Sequence, residues 1–366
     1  MYIQQVTFEN YRNLQPITFL PEKGINVIYG DNAQGKTNLL EGIWLFTGGR
    51  SFRGAKDNEL IAFHQNYARL QLSFRSCERE QTIVININNH KRSAVLNGVP
   101  KSSMAQIIGH FCAVVFSPHH LSLIKSGPEE RRNFIDAAIC QIKPLYVASL
   151  SRYKRVLNER NALLKDIPQH RELEDMLSIW NERLAAEGAV IVMERRRYIR
   201  RLSESAVRFY DGLSGGKELM QFTYKTTAAE PQEESDIEEI RHRLLTALQN
   251  RQNDDIYCGY TTVGVHRDDL IVRIDGKEAR SFGSQGQQRS AVLAMKLAEA
   301  ALLGEAKGEK PVILLDDVLS ELDPKRQQYL LTRLEDFQVL ITCCEKEITA
   351  AHAVHISGGQ ITTAEE

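Results

Sequence analysis

The residues best suited to chemistry form one short stretch, which has two glycines separated by four residues and followed by a lysine and a hydroxyl residue. An apolar run, Ile25–Tyr29, precedes it and indicates a buried strand, and a helical stretch, Lys36–Leu45, follows it. Strand, loop and helix in this order are the context in which the pattern binds phosphate, through backbone N–H groups and the positive end of the helix. We predict that the stretch cradles the β- and γ-phosphates of a nucleoside triphosphate. Its members are Gly30, Asp31, Asn32, Ala33, Gln34, Gly35, Lys36 and Thr37.

Two side chains of the loop and two later carboxylates have predicted catalytic roles. Lys36 adds a positive charge to the phosphates, and the Thr37 hydroxyl is a ligand for Mg²⁺. The apolar strand Val312–Leu315 delivers Asp316 and Asp317 at its carboxyl end, where open parallel sheets place their sites. We expect Asp316 to hold Mg²⁺ through water and Asp317 to orient or deprotonate the attacking water.

A third motif precedes the helical run Ala291–Leu303. Its residues are Ser284, Gln285, Gly286 and Gln287, which we call the signature. Ser284 and Gln287 have capping-box spacing, so the motif can be a well-capped helix start. The same hydroxyl and helix N-terminus can also bind a γ-phosphate supplied from elsewhere. The position one helix before the Asp pair favours this second interpretation.

Two other glycine pairs imitate such a signature. Leu213–Lys217 lies in a predicted helical region, and no helix leads from it into the strand that carries the Asp pair. Ile356–Gln360 comes after that pair. We interpret both as turns, and the second as a two-residue hairpin.

The element pattern predicts an α/β fold with an inserted helical domain. Alternating residues predict strands at Tyr2–Phe8, Arg69–Arg75, Gln81–Ile87 and Ser93–Val99, which indicate an antiparallel subdomain. Helical periodicity dominates from His119 to Gln252, with an acidic linker at Glu230–Ser235. The predicted parts are an N-terminal ATPase lobe (1–118), a helical arm (119–252) and a C-terminal ATPase lobe (253–366).

Composition excludes several classes of protein. The 366 residues are 42% hydrophobic and 25% charged, with a net charge of −1, which is ordinary for a globular protein of about two domains. No apolar run has membrane-spanning length, and Met1–Val6 lacks the features of a secretion signal. The six scattered cysteines indicate reduced thiols, so we expect a cytoplasmic protein.

These motifs together resemble SMC-like, ABC-type ATPase heads, and specifically the RecF family of bacterial recombination mediators. The resemblance extends essentially from end to end. Besides the motifs above, it is carried by Tyr11-Arg12-Asn13, Ser51-Phe52-Arg53, Phe116-Ser117-Pro118, Arg131–Asp136, Gly264–Asp269 and Leu315–Asp323. Asp316-Asp317, where most ABC ATPases have Asp-Glu, is part of it.

The resemblance implies a phosphate-loop ATPase that uses ATP and Mg²⁺ and forms an ATP-dependent homodimer. The signature of one subunit would complete the phosphate site of the other. It also implies that Arg53 lies near the phosphates, that Arg12 and Asn13 border the nucleotide, and that Asn38 belongs to the same site. RecF-like proteins bind double-stranded and gapped DNA, and work with RecO and RecR to help load RecA.

DNA-contacting residues are harder to identify. Arg195, Arg197 and Arg201 belong to a dense basic run in a predicted helix. Such runs are usually solvated helix faces, but the resemblance makes them candidates for phosphate contacts.

Three other functions remain open from the residues. They are an ATPase subunit coupled to a partner such as a transporter, a phosphotransferase acting on a small substrate, and a scaffold that keeps ATP as a structural ligand. The signature disfavours the phosphotransferase, because kinases complete their sites within one chain.

Overall fold

The structure is a computed structural model that describes residues 1–88, 91–227, 236–344 and 352–362. The predicted linker Glu230–Ser235 lies outside these ranges. The described helices are α1 (Lys36–Leu45), α2 (Pro118–Leu121), α3 (Pro128–Ile142), α4 (Pro144–Asp166), α5 (Leu177–Ser214), α6 (Ile237–Asn250), α7 (Gln252–Cys258), α8 (Ala279–Phe282), α9 (Gln285–Lys307) and α10 (Pro324–Leu334). None of them combines the length and apolar composition that a bilayer-spanning helix needs.

The described strands are interspersed with these helices. They are β1 (Tyr2–Glu9), β2 (Ile17–Phe19), β3 (Ile25–Tyr29), β4 (Tyr67–Ser76), β5 (Arg79–Asn88), β6 (Lys91–Leu96), β7 (Val99–Lys101), β8 (Ala113–Phe116), β9 (Met220–Lys225), β10 (Asp269–Ile274), β11 (Lys277–Glu278), β12 (Val312–Asp316), β13 (Val339–Cys343), β14 (His352–Ser357) and β15 (Gln360–Thr362).

The chain divides into two compact units. Unit one contains Met1–Ser122, Arg208–Gly216 and Arg289–Glu366, and unit two contains Leu123–Val207 and Lys217–Gln288. The predicted arm ended at residue 252, whereas unit two continues to Gln288. The reason is that β10, after the predicted boundary, pairs along its full length with β9, before it.

The site is positioned by the mainly parallel sheet of unit one, whose strand order is β15-β14-β3-β13-β12-β8. Strands β14, β3, β13, β12 and β8 are parallel neighbours, and β12 and β13 are almost entirely buried. Such strands have continuous apolar sequences because both faces of the sheet are covered. The register places Asp316 beside Thr342, and Thr342 beside Ile28. The carboxyl ends of β3, β12 and β13 therefore meet at one edge.

The second sheet of unit one is antiparallel, with the order β2-β1-β4-β5-β6-β7. Buried and exposed residues alternate along β4 and β5, as their sequence patterns predict. The predicted strand Ser93–Val99 is two strands instead, because Asn97 and Gly98 both have positive φ angles and form the turn between β6 and β7. One hydrophobic core contains side chains from this sheet, from α1 and from the parallel sheet, including Phe8, Leu40 and Leu314.

Unit two is held together partly by buried ion pairs. Arg160 has no exposed surface and donates to Asp255 at 2.8 Å, Thr261 at 2.7 Å and Asn181 at 2.8 Å. These bonds connect α4 with α5 and α7. A buried arginine needs such partners, because removing one would leave its charge uncompensated. The small sheet β11-β10-β9 lies in this unit. The sequence pattern predicts a strand at Asp269–Ile274 followed by a hairpin turn, as observed for β10, whereas β9 lies in the region predicted to be mainly helical.

Candidate nucleotide site

The predicted phosphate loop connects β3 to α1, as its sequence context requires. Lys36 is 8% exposed, and its ammonium group donates to the backbone oxygens of Gly30 at 2.5 Å and Asp31 at 2.8 Å. The lysine side chain thus folds over the loop and concentrates positive charge at the N-terminus of α1, where the helix dipole has the same sign. This arrangement suits an oligophosphate.

The two predicted Mg²⁺ ligands are in direct contact. The Thr37 hydroxyl donates to Oδ1 of Asp316 at 2.8 Å, and the Thr342 hydroxyl donates to the same oxygen at 3.0 Å. Burial raises the pKa of Asp316, the two hydroxyl donors oppose that rise, and the neighbouring Asp317 charge adds to it. A divalent cation beside this carboxylate would offset the cost of keeping it ionised.

The donor set also fits Mg²⁺ chemically. Within the described ranges, no group of three or more His, Cys, Asp or Glu side chains could hold a metal ion. Mg²⁺ is usually held by one or two protein ligands, with substrate phosphates and waters completing its shell. A hydroxyl and a carboxylate in contact, Thr37 and Asp316, are such a pair.

Asp317 is fixed in an uncommon backbone conformation. Its φ angle is 50°, in the left-handed region that few residues except glycine, asparagine and aspartate tolerate. Its N–H donates to the Thr342 hydroxyl at 3.0 Å, and the Ser320 hydroxyl donates to its backbone oxygen at 2.8 Å. Strained backbone of this kind is concentrated at functional sites, where it aims a side chain. Here Asp317 lines the same cavity as Lys36 and Thr37.

Glu41 on α1 is an important residue that sequence reasoning missed. It is fully buried and accepts from Arg12 through two bonds of 2.9 and 2.8 Å, from the Tyr11 hydroxyl at 3.2 Å and from the Ser51 hydroxyl at 2.5 Å. The Ser51 hydroxyl in turn accepts from the N–H of Arg53 at 3.1 Å. Glu41 therefore fixes both segments that carry the predicted arginines. No sequence pattern distinguishes it from an ordinary surface glutamate of a helix.

The predicted flanking residues form a hydrogen-bonded row along the loop. Arg53 donates to the Asn38 side chain at 2.9 Å, Asn38 donates to Asn13 at 2.6 Å, and Asn13 donates to the backbone oxygen of Ala33 at 2.9 Å. This row brings together four residues that the prediction assigned to the nucleotide site. The Arg12 charge is paired with Glu41, which makes Arg12 a positioning residue as well as a wall of the cavity.

A cavity of about 1030 Å³ adjoins these residues. Its size is at the upper end of small-molecule and cofactor sites. Most of the predicted cofactor residues of unit one line it, together with Thr342 and the segment after residue 57, which no motif had indicated. The lining residues are Arg12, Asn13, Asn32, Ala33, Gly35, Lys36, Thr37, Asn38, Arg53, Asn58, Glu59, Ile61, Ala62, Phe63, His64, Gln65, Asn66, Asp317 and Thr342.

The β14–β15 hairpin supports the phosphate loop from the side. The N–H of Gly358 donates to the Gln34 side chain at 2.6 Å, and the N–H of Gly359 donates to the backbone oxygen of Gln34 at 3.1 Å. A Cβ atom at Gly359 would lie 2.3 Å from the backbone oxygen of Asn13, and one at Gly30 would lie 2.3 Å from that of Ile356. Both glycines are needed for this close approach. The Gly-Gly sequence is a two-residue hairpin turn, as predicted, but it also braces the site.

The signature residues belong to unit two and begin α9. The N–H of Ser284 donates to the Gln287 side chain at 2.8 Å, and the N–H of Gln287 donates to the Ser284 hydroxyl at 3.2 Å. The predicted capping box is therefore present. Ser284 and Gln285 are exposed, and the Gln287 amide also donates to Glu218 at 2.9 Å. Contact of Ser284, Gln285, Gly286 and Gln287 with a phosphate remains a prediction.

The other glycine pair that imitates a signature is a turn after α5. Gly215 and Gly216 have φ angles of 68° and 72°, which end the helix. This agrees with the sequence interpretation.

The three arginines predicted to contact DNA differ in exposure. Arg195 is 3% exposed and forms two bonds to Asp136 at 2.9 and 2.8 Å and one to Asp268 at 3.2 Å. Its guanidinium group is committed to a buried network, so the assignment of Arg195 to DNA is wrong. Arg197 and Arg201 are exposed, and Arg197 also pairs with Glu194 at 3.1 Å. They remain candidates.

Comparisons with known proteins identify the family of the chain. The family model "RecF/RecN/SMC N terminal domain" matches residues 2–362. The DNA replication and repair protein RecF of Ruminiclostridium cellulolyticum is 40% identical over 95% of this chain and 94% of its own. RecF of Agathobacter rectalis is 36% identical over the whole of both chains. These relatives do not support the alternative of a transporter subunit.

Solved structures give the same result. The recombination mediator protein RecF with ATP has a TM-score of 0.94 at 38% identity, covering 99% of this chain and 97% of that one. An Smc head bound to a winged-helix domain of ScpA has a TM-score of 0.56 at 15% identity, covering 99% and 96%, and shows the fold alone. The predicted α/β fold of the SMC-head type is confirmed. The chain therefore belongs to the RecF/RecN/SMC N-terminal domain family, and within it to the RecF proteins.

Proposed function

We propose that this chain is a DNA-binding ATPase of recombinational repair that uses ATP as a switch for dimerisation. The observation that carries the proposal is the contact between the Thr37 hydroxyl and the Asp316 carboxylate, beside Lys36 and Asp317. Two sequence segments separated by 279 positions meet there with the groups that a hydrolytic phosphate site requires.

Each residue of the site has a defined role. The Lys36 ammonium group and the loop N–H groups hold the β- and γ-phosphates, and they stabilise the charge that develops as the terminal phosphoryl group leaves. Thr37 and Asp316 would hold Mg²⁺, which supplies further charge neutralisation when bound. Asp317 accepts a hydrogen bond or a proton from the attacking water, so that the water lies in line with the γ-phosphorus atom.

The signature completes the site from a second copy of the chain. A capped helix start with an exposed hydroxyl, as at Ser284, is suited to a γ-phosphate that arrives with another subunit. Hydrolysis is then slow in a lone chain, because part of the electrostatic stabilisation arrives only on dimerisation. ATP would hold the dimer on double-stranded or gapped DNA, and hydrolysis would release it. Solved RecF is described as a recombination mediator of the RecFOR pathway, which supports RecO and RecR as partners in loading RecA.

Sedimentation tests the switch. We expect a dimer of the parent protein with MgATP and a monomer without it. Lys36→Met removes the phosphate contact, and Ser284→Arg places a bulky cation at the signature, so each should weaken the ATP-dependent dimer by at least about tenfold.

The two variants also distinguish the parts of the proposal. Ser284→Arg should still bind ATP, because Ser284 acts on the nucleotide of the other subunit, whereas Lys36→Met should not. An Arg280→Ala control changes an exposed residue one helix earlier and should dimerise as the parent does. If Ser284→Arg dimerised at the same ATP concentration as the parent protein, the role of the signature would be contradicted.

DNA binding by the exposed arginines of α5 is a separate expectation. Replacing both Arg197 and Arg201 with alanine should weaken binding to gapped duplex DNA whatever the sequence of the DNA. It should also reduce the slope of log K against log salt concentration by about 2, since each phosphate contact contributes about 0.9. Arg241→Ala with Arg243→Ala removes equal charge from α6 and serves as the control. An unchanged affinity and salt slope would exclude Arg197 and Arg201.

A further inference from the structure

Thr342 is a buried residue of the candidate nucleotide site to which no motif assigns a role. It lies near the carboxyl end of β13, is 1% exposed and lines the same cavity as Lys36 and Asp317. The strand order places β13 between β12, which carries Asp316, and β3, which leads into the phosphate loop. Thr342 is therefore held by two neighbouring strands at the edge where the site is formed.

The hydroxyl group of Thr342 contacts both aspartates of the site. A hydroxyl has one proton to donate and two lone pairs that accept. The proton is directed to Oδ1 of Asp316 at 3.0 Å, since the alternative acceptor, the backbone oxygen of Leu315, lies farther away at 3.5 Å. A lone pair accepts from the backbone N–H of Asp317 at 3.0 Å. One oxygen atom thus joins the side chain of the predicted Mg²⁺ ligand to the backbone of the predicted base.

The two aspartates depend on this hydroxyl to different degrees. Oδ1 of Asp316 also accepts from the Thr37 hydroxyl at 2.8 Å, so it would keep a donor without Thr342. The backbone of Asp317 has a φ angle of 50° and needs contacts that maintain this conformation. Thr342 holds the N–H of Asp317, and the Ser320 hydroxyl holds its backbone oxygen at 2.8 Å. Loss of the Thr342 hydroxyl would therefore affect Asp317 most.

We propose that Thr342 is a positioning residue for ATP hydrolysis, whose hydroxyl aims Asp317 at the attacking water and aligns it with Asp316. This role rests on the proposed hydrolysis of ATP at the site, and it names the residue that fixes the base. Thr342 acts through Asp317 and needs no contact with the nucleotide. A small displacement of a base slows the chemical step, because proton transfer requires a defined geometry. Binding of ATP at Lys36 and the loop does not require it.

Two substitutions separate the hydroxyl of Thr342 from the shape of its side chain. Thr342→Val keeps nearly the shape and removes the hydroxyl, whereas Thr342→Ser keeps the hydroxyl and removes the methyl group. We expect Thr342→Val to lower kcat for phosphate release at least about tenfold and to bind MgATP within about twofold of the parent in calorimetry. Thr342→Ser should restore most of kcat. The control is Thr332→Val, which changes an exposed threonine of α10 and should hydrolyse ATP at the parental rate.

A double substitution tests whether Thr342 acts through Asp317. In single-turnover hydrolysis, adding Thr342→Val to Asp317→Asn should slow the reaction by less than about twofold further, because no base remains to be positioned. If Thr342 served only to pack the end of the strand, its substitution would slow Asp317→Asn by the same factor as the parent.

Three results would overturn this role of Thr342. In the first, Thr342→Val releases phosphate at the parental rate. In the second, Thr342→Val and Thr342→Ser lose kcat and affinity for MgATP together, which would mean that the residue only packs the site. In the third, the effect of Thr342→Val is as large in Asp317→Asn as in the parent. A parent protein that binds MgATP and releases no phosphate would remove the proposed hydrolysis as well, so the two failures can be told apart.

Discussion

Replacing Asp317 with asparagine is expected to slow ATP hydrolysis by at least about a hundredfold and to leave ATP binding nearly unchanged. Positioned general bases contribute about 10² to 10⁴ to the rate, and an amide cannot accept the proton of the attacking water. In the proposed site, Lys36 and the loop hold the phosphates, so the nucleotide should still bind. Phosphate release in a single turnover measures the first effect, and calorimetry measures the second.

Asparagine is the informative substitution because of the backbone. Asp317 has a φ angle of 50°, which asparagine adopts nearly as easily as aspartate but alanine does not. Asp317→Ala would combine loss of the carboxylate with strain in the backbone. Glu59→Gln is the matched control, since it removes a carboxylate from another part of the same cavity and should hydrolyse ATP at the parental rate. Phosphate release by Asp317→Asn at the parental rate would exclude Asp317 as the base, and no release by either protein would indicate a scaffold that holds ATP without hydrolysing it.

Replacing Glu41 with alanine is expected to lower the free energy of unfolding by about 3 kcal/mol. Breaking a buried ion pair by removing one partner typically costs about 3 to 5 kcal/mol, because the other charge stays uncompensated. Arg12 retains 18% exposure, which places the estimate at the lower end of that range. Urea unfolding followed by fluorescence measures the change.

The same variant should also bind ATP more weakly than the parent. Without Glu41, the turn carrying Arg12 and the segment carrying Arg53 lose their common anchor, and both residues line the cavity. Glu41→Gln keeps the shape and one acceptor oxygen, so its loss in both measurements should be smaller. Asp336→Ala removes an exposed pair with Lys310 and should cost less than about 1 kcal/mol. Equal stability of Glu41→Ala and Asp336→Ala would contradict the anchoring role.

The arrangement of the candidate phosphate site could be predicted from the sequence because local pattern and sheet geometry decide it. The loop needs only its glycines, Lys36 and Thr37 in their strand–loop–helix context. Asp316 could be placed near them without any coordinates, because the carboxyl ends of parallel strands share an edge. The contact between Thr37 and Asp316 agrees with that rule.

The residues that escaped prediction depend on contacts between distant segments. Glu41 is recognisable only once Arg12 and Ser51 are known to approach it. Arg195 shows the opposite error. A run of arginines looks like a charged surface, but the helix turns this one towards Asp136 and Asp268. Helical position alone cannot reveal buried acidic partners on other elements.

The hairpin that braces the phosphate loop has a consequence for biosynthesis. Gly358 and Gln34 are separated by 324 positions, and β14 pairs directly with β3. Contacts this distant in sequence form late in folding, because a long stretch of chain must first be ordered between them. In a chain that is still being synthesised, the phosphate loop would therefore lack its contacts with the β14–β15 hairpin until translation has passed Gly358 and Gly359. We therefore expect nucleotide binding to be weaker in chains whose synthesis has not reached these glycines.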